Sequence, residues 1–271
     1  MSSRFAAAIA LCLIPAAALA APLPLASHRA AYDLSLADPA SGAGSLQSPV
    51  GASGLIAYEF RGSPCEGYTS EFRQITRMVR SEGAPLSSGV LATSFEDADG
   101  KSMRFQVQPQ GEDPSPVVAG TAVRGDGDDL RVRLTKPSTK SFDFGPAVLF
   151  PTQHVERLIE TAKQGGHILQ TRVYDGSETG AKIFATLAVI GKEAAGPGVD
   201  DGIVSLKGVR RWPMVVSYFD EADKQSTPDY TLTFDLYENG VSGSLKLDYG
   251  RFALNAKLKT LEILPGGACK N

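Results

Sequence analysis

Apolar and polar residues alternate with a period of two along most of this chain, and that period limits what it can fold into. Ile56, Tyr58 and Phe60 are separated by Ala57 and Glu59; Met103, Phe105 and Val107 by Arg104 and Gln106; Leu130, Val132 and Leu134 by Arg131 and Arg133. Successive side chains of a strand point to opposite faces, so each segment predicts a strand with one buried face and one wet face. The C-terminal third repeats the pattern. Tyr230, Leu232, Phe234 and Leu236 oppose Thr231, Thr233 and Asp235, and Asn239-Gly240 then fits a tight hairpin turn. Leu245, Leu247 and Tyr249 return against Lys246 and Asp248, and after Gly250 a further strand sets Phe252, Leu254, Ala256 and Leu258 against Asn255, Lys257 and Lys259. With turn signals at Asp97 to Gly100 and Asp175 to Ser177, the expectation is on the order of a dozen strands.

One segment breaks the period. Pro151-Thr152, followed by Val155, Leu158, Ile159 and Ala162 and then by Gly165-Gly166, predicts an amphipathic helix of about three turns, capped by Thr152 and stopped by glycine. Residues 37–54 and 193–202, rich in Gly, Ala, Ser, Pro and Asp, read as surface loops.

Strands that are apolar on one face only build an antiparallel sheet with its other face in water. One helix offers a narrow stripe and cannot cover a dozen such strands. The sheet must cover itself, either as a two-layer sandwich, which fills its own core, or by curling into a barrel or spiral. A curled sheet of that many strands encloses a lumen too wide for its side chains to fill, which the helix can plug or line at the mouth. The fold class expected is mainly β with one amphipathic helix, either a sandwich or, as the face count favours, a large antiparallel sheet curled into a spiral or open barrel. Its cavity lining would be the inward set of the C-terminal meander, Leu232, Phe234, Leu245, Leu247, Phe252 and Leu254, with Val155, Leu158 and Ile159 near the mouth.

The N-terminus reads as an export signal over residues 1–20. Arg4 supplies the basic region, Phe5 to Leu13 the short apolar region, and Ala18-Leu19-Ala20 a small-x-small site with cleavage after Ala20. Residues 21–271 then form a single β-spiral domain. Cys12 leaves with the leader, and the two remaining cysteines, Cys65 and Cys269, read as one disulfide in an oxidising compartment. Loss of Arg4 leaves 26 basic and 30 acidic residues, a formal charge of −4. Such mild acidity, with no basic stripe, argues against a nucleic-acid partner. No apolar run after the leader approaches the ~20 residues of a transmembrane segment.

Catalytic and metal-binding signatures are sparse. His28, His154 and His167 have no second His or Cys at ligand spacing, which predicts no metal and no cofactor. His154 reads as a polar residue of the first helical turn. Gly240-Val241-Ser242-Gly243-Ser244 misplaces the second glycine of a nucleophile elbow and lies in a hairpin. Asp126-Gly127-Asp128-Asp129 lacks the spacing and distal Glu of a helical calcium loop and reads as a hydrophilic turn. The chain reads as a non-enzyme.

Several blocks carry a resemblance. Tyr58-Glu59-Phe60-Arg61-Gly62-Ser63-Pro64-Cys65-Glu66-Gly67-Tyr68, Phe95-Glu96-Asp97 with Asp99-Gly100-Lys101-Ser102, Leu149-Phe150-Pro151-Thr152-Gln153-His154, Val173-Tyr174-Asp175-Gly176, Arg211-Trp212-Pro213 and Leu236-Tyr237-Glu238-Asn239-Gly240 resemble the EipB family, the cell-envelope integrity proteins B of alphaproteobacteria. The resemblance covers nearly all of the chain after the leader. It implies a periplasmic protein with a spiral antiparallel sheet similar in shape to those of periplasmic lipoprotein carriers. It also implies a disulfide between the first block and the C-terminus, where Cys65 and Cys269 stand, and brings no enzyme activity. The expected function is non-catalytic maintenance of envelope integrity through an apolar cavity for a lipid, a lipidated protein or an apolar peptide. The alternative is a scaffolding protein acting through a surface contact with another envelope protein.

Overall fold

A computed structural model of the protein describes residues 25–37, 49–111, 115–195, 198–200, 202–223, 226–267 and 269. The expected leader, its expected cleavage site at Ala20 and part of the predicted 37–54 loop lie outside the described residues.

The first half of the chain is a run of strands: β1 (His28–Leu36), β2 (Gly51–Ser63), β3 (Gly67–Val79), β4 (Leu86–Glu96), β5 (Ser102–Gly111), β6 (Val118–Arg124), β7 (Leu130–Lys136), β8 (Lys140–Asp143) and β9 (Val148–Leu149). The helix α1 (Pro151–Lys163) follows, and then β10 (Ile168–Val173), β11 (Phe184–Ile190), β12 (Arg211–Asp220), β13 (Tyr230–Tyr237), β14 (Ser242–Asp248) and β15 (Ala253–Ile263), with a short 3-10 turn at Val204–Leu206 before β12. β2 begins at Gly51, inside the stretch that reads as loop.

All fifteen strands form one sheet, ordered β8-β7-β6-β5-β4-β3-β2-β1-β15-β14-β13-β12-β11-β10-β9. Two meanders are thus joined through the first and last strands of the chain, with Tyr32 opposite Leu258, Leu34 opposite Ala256 and Leu36 opposite Leu254. Every pairing is antiparallel except β9 with β10, which run parallel because α1 intervenes as a crossover. The sheet is not closed, since β8 and β9 each end it without pairing to the other.

The curl follows from who packs with whom. Leu158, Ile159 and Ala162 of α1 share a core with Phe60 and Tyr68 from β2 and β3 and with Ala188, Ile190, Trp212, Met214, Val216 and Leu236 from β11 to β13. Strands far apart in the sheet therefore meet on one helix, which sits inside the curl. At the two ends of the sheet, Met103, Phe105, Ala122, Leu130, Val132 and Leu134 of β5 to β7 pack against Val148, Phe150, Tyr174 and Ile183 from around β9 to β11. The ends overlap through side chains, and the sheet is an open spiral.

Candidate functional site

α1 is held at its start by a strand. Its N-cap is Phe150, not Thr152, and Gln153 Oε1 accepts a hydrogen bond from the Phe150 N–H at 3.1 Å. Thr152, two residues inside the cap it was expected to be, is buried against Glu96 at the end of β4. The Glu96 carboxylate accepts the Thr152 N–H at 3.0 Å and its hydroxyl at 2.9 Å. A carboxylate at a helix start satisfies an orphan N–H and opposes the positive end of the helix dipole. Arg124 braces the same turn, donating to Gln153 Oε1 at 2.8 Å with its guanidinium 4.7 Å from the centre of the Phe150 ring.

Burial sets the charge states here. Glu96 is pushed up to about 7 by burial, against the lowering effect of the Thr152 hydrogen bonds. Glu156 is also pushed up to about 7, by burial and then by Glu160. His154 is pushed down to about 4 by burial, so it is neutral at ordinary pH. It lies in the first helical turn as the sequence predicts, but it is buried and packed edge-on to Tyr218, 6.3 Å between ring centres. Beside Glu96 is a small cavity of about 70 Å³ lined by His28, Tyr58, Phe60, Thr152 and Val155.

These groups are not arranged as a nucleophile and base. Ser70 Oγ pairs with Ser94 Oγ at 2.8 Å, His28 Nδ1 contacts the Ala26 carbonyl at 2.7 Å, and His167 Nδ1 contacts the Ile190 carbonyl at 3.0 Å. Among the described residues no group of three or more His, Cys, Asp or Glu is placed to hold a metal ion.

The expected lining residues fall into two clusters. Leu158 and Ile159, with Val155 and Phe234 packed against them, belong to the core around α1. Leu247 and Leu254, with Leu232, Leu245 and Phe252 at their margin, belong to a second core with Tyr32, Leu34 and Ile56 of β1 and β2. Register puts five of the six meander residues on one inner face, since Phe234 lies opposite Leu245, Leu232 opposite Leu247, and Leu247 opposite Leu254, and Phe252, just before β15, packs against the same cluster. A ladder of rings continues that face. Phe184 and Tyr218 are 6.0 Å apart, Tyr218 and Tyr230 4.5 Å, Tyr230 and Tyr249 6.3 Å, and Tyr249 and Phe252 5.2 Å.

A larger opening lies elsewhere. A crevice of about 560 Å³ runs along the inner side of β6 to β8, walled by Pro109, Pro116, Val118, Leu134 and Phe142 and, across from them, by Thr179 and Ala181, with Lys140 and Glu178 exposed beside it. Its size falls in the range of small-ligand sites, and its walls are mainly apolar. The alternation at Leu130, Val132 and Leu134 shows in the sequence which residues face inward. Nothing there announces that the β10 to β11 connection forms the opposite wall.

Cys65, in the β2 to β3 turn, is bonded to Cys269, with 5.6 Å between Cα atoms and a sequence separation of 204. The bond ties the start of the first meander to the end of the second.

The fold and these blocks agree with the comparisons. A family model described as EipB-like matches residues 19–265. The chain belongs to the EipB-like family. It is 38% identical over 261 residues to the cell envelope integrity protein EipB of Brucella abortus (strain 2308), an alignment that spans 94% of this chain and 90% of that protein. A crystal structure of a β-barrel-like protein of a domain of unknown function, also from Brucella abortus, matches with a TM-score of 0.81 at 35% identity, over 90% of this chain and 100% of that one. Membership of the EipB-like family supports a role in envelope integrity. Among the described residues no helix is long and apolar enough to cross a membrane.

Proposed function

We propose that this chain is a non-catalytic periplasmic protein, released by cleavage after Ala20 as one domain over 21–271, that maintains the cell envelope by holding an apolar ligand. The ligand class is a lipid, a lipidated protein or an apolar peptide. The observation that carries the reading is the crevice of about 560 Å³ inside β6 to β8, apolar and open to solvent in a protein of an envelope-integrity family. Burial of an acyl chain or an apolar side chain there gains about 0.8 kcal/mol per methylene, which gives useful affinity without a charged contact.

Titration of a fluorescent fatty acid, cis-parinaric acid, into the delipidated protein tests this reading. Saturable binding is expected, weakened at least tenfold by Ala181→Trp, which fills the crevice from a partly exposed wall. Binding unaffected by that substitution would place the ligand elsewhere. A scaffolding role, in which the protein works through its surface alone, is favoured by the close packing of Leu158 and Ile159, and it would be supported by the absence of any saturable binding.

A further inference from the structure

β8 is an edge strand beside the crevice. It is hydrogen-bonded to β7 alone, and of its four residues only Phe142 is not exposed. Val132 lies opposite Phe142 and Leu134 opposite Lys140, and the Phe144 N–H donates to the Leu130 carbonyl at 2.9 Å. Alternate positions of an antiparallel pair bond to the neighbour, so Ser141 and Asp143 turn their N–H and C=O groups to the open side.

The charge on this edge is mainly positive, with Lys140 on the crevice side and Arg131 and Arg133 on the outer face. The segment from Leu130 to Asp143 carries Arg131, Arg133, Lys136 and Lys140 against Asp143 alone, in a chain whose net charge is −3. Asp143 is taken by Arg131 at 2.8 Å. Arg133 stands exposed on the outer face with small Ser141 as its cross-strand neighbour, and among the described residues it has no ion-pair partner. A short edge bearing lysine is guarded against indiscriminate pairing. An acidic partner turns that guard into a selector.

We propose that β8 accepts an extended segment of a partner protein as an added strand, with its apolar residues in the crevice beside Phe142 and its acidic residues on the outer face toward Arg133. The proposal rests on the reading of the crevice as an apolar-ligand site and narrows the ligand to a strand of alternating apolar and acidic residues. An acyl chain fills the crevice but cannot satisfy the open N–H and C=O groups of Ser141 and Asp143. A backbone does both, which is how strand addition combines affinity with side-chain selection.

The test uses the full oxidised protein and fluorescein-labelled hexapeptides of alternating valine and glutamate, or alternating valine and lysine, read by anisotropy. The glutamate peptide is expected to bind saturably and the lysine peptide at least tenfold more weakly. Arg133→Glu should reverse that order. Ser141→Pro, which removes an N–H facing the open side and none facing β7, should weaken the glutamate peptide at least tenfold. If that variant does not fold, a glutamate peptide N-methylated at alternate positions makes the same test from the ligand side. Equal binding of the two peptides overturns the proposal. So does fatty acid binding blocked by Ala181→Trp with no binding of the glutamate peptide, which leaves the apolar-ligand reading standing. If neither probe binds, both readings fail.

Discussion

The Glu96 carboxylate accepts both the backbone N–H and the hydroxyl of Thr152, so the end of β4 caps a helix 56 residues further along the chain. The contact joins the first meander to the helix that the second meander packs against. Glu96 is buried and its pKa is pushed up to about 7, mainly by that burial. The folded state therefore keeps a proton on Glu96 that the unfolded chain loses above about 4.5. This contribution to stability is complete below about pH 4.5 and is lost as pH rises to about 7, by on the order of 3 kcal/mol at most. Glu96→Gln keeps an oxygen for Thr152 and removes the titration. Urea denaturation at pH 5 and pH 7.5 should show the variant gaining stability on its parent at the higher pH. His154, pushed down to about 4, lies below this window in the folded protein. Because Glu156 helps raise Glu96, the same comparison is repeated in a Glu156→Gln background to isolate Glu96. An unchanged difference between the two pH values would contradict the buried Glu96.

The Cys65 to Cys269 bond closes a loop of about 200 residues, which by the loop-entropy argument destabilises the unfolded chain by roughly 5 kcal/mol, less any residual structure. Cys65→Ser should lower the melting temperature and speed digestion by protease. Two free thiols in protein isolated under non-reducing, denaturing conditions would contradict the bond.

Leu158 is 3% exposed in the core shared by α1 with both meanders. Leu158→Ala should cost about 2–5 kcal/mol in chemical denaturation, as for other buried leucines. A cost under about 1 kcal/mol would mean that α1 is not docked inside the spiral. Because the side chain is core, Leu158→Asp should unfold the protein rather than report on a ligand.

The histidines should be dispensable for function. His28→Ala, His154→Ala and His167→Ala strains that accumulate normal amounts of folded protein should retain normal sensitivity to envelope stress. A folded, abundant variant that behaved as a deletion would reopen an enzymatic role.

The strands were readable because a period of two reports directly on a one-faced sheet, as at Leu232, Phe234 and Leu236, and α1 because Val155, Leu158, Ile159 and Ala162 break it. Counting apolar faces against one helical stripe leaves a sandwich and a curled sheet open; the spiral is what the resemblance to the EipB family implies, and neither argument gives strand order. Order depends on long-range partners. Nothing local to His28–Leu36 says that it pairs with Ala253–Ile263, or that Val148–Leu149 pairs parallel with β10. The role of Glu96 escaped for the same reason, since a carboxylate at a strand end looks solvated until a helix start 56 residues away is placed on it. Thr152 was expected as the cap from its residue type, but Phe150 takes that place because Gln153 reaches back to its N–H and frees Thr152 for Glu96. The crevice depends on the β10 to β11 connection folding over β6 to β8, which alternation does not encode.

The most direct test of an apolar ligand is mass spectrometry of organic and peptide extracts from the protein purified, without detergent, from the cells that make it. The account predicts a retained lipid, acylated protein fragment or apolar peptide in near-stoichiometric amount, reduced by Ala181→Trp. Extracts with no retained species, from a protein that also fails to bind cis-parinaric acid and the glutamate peptide after purification, would contradict it.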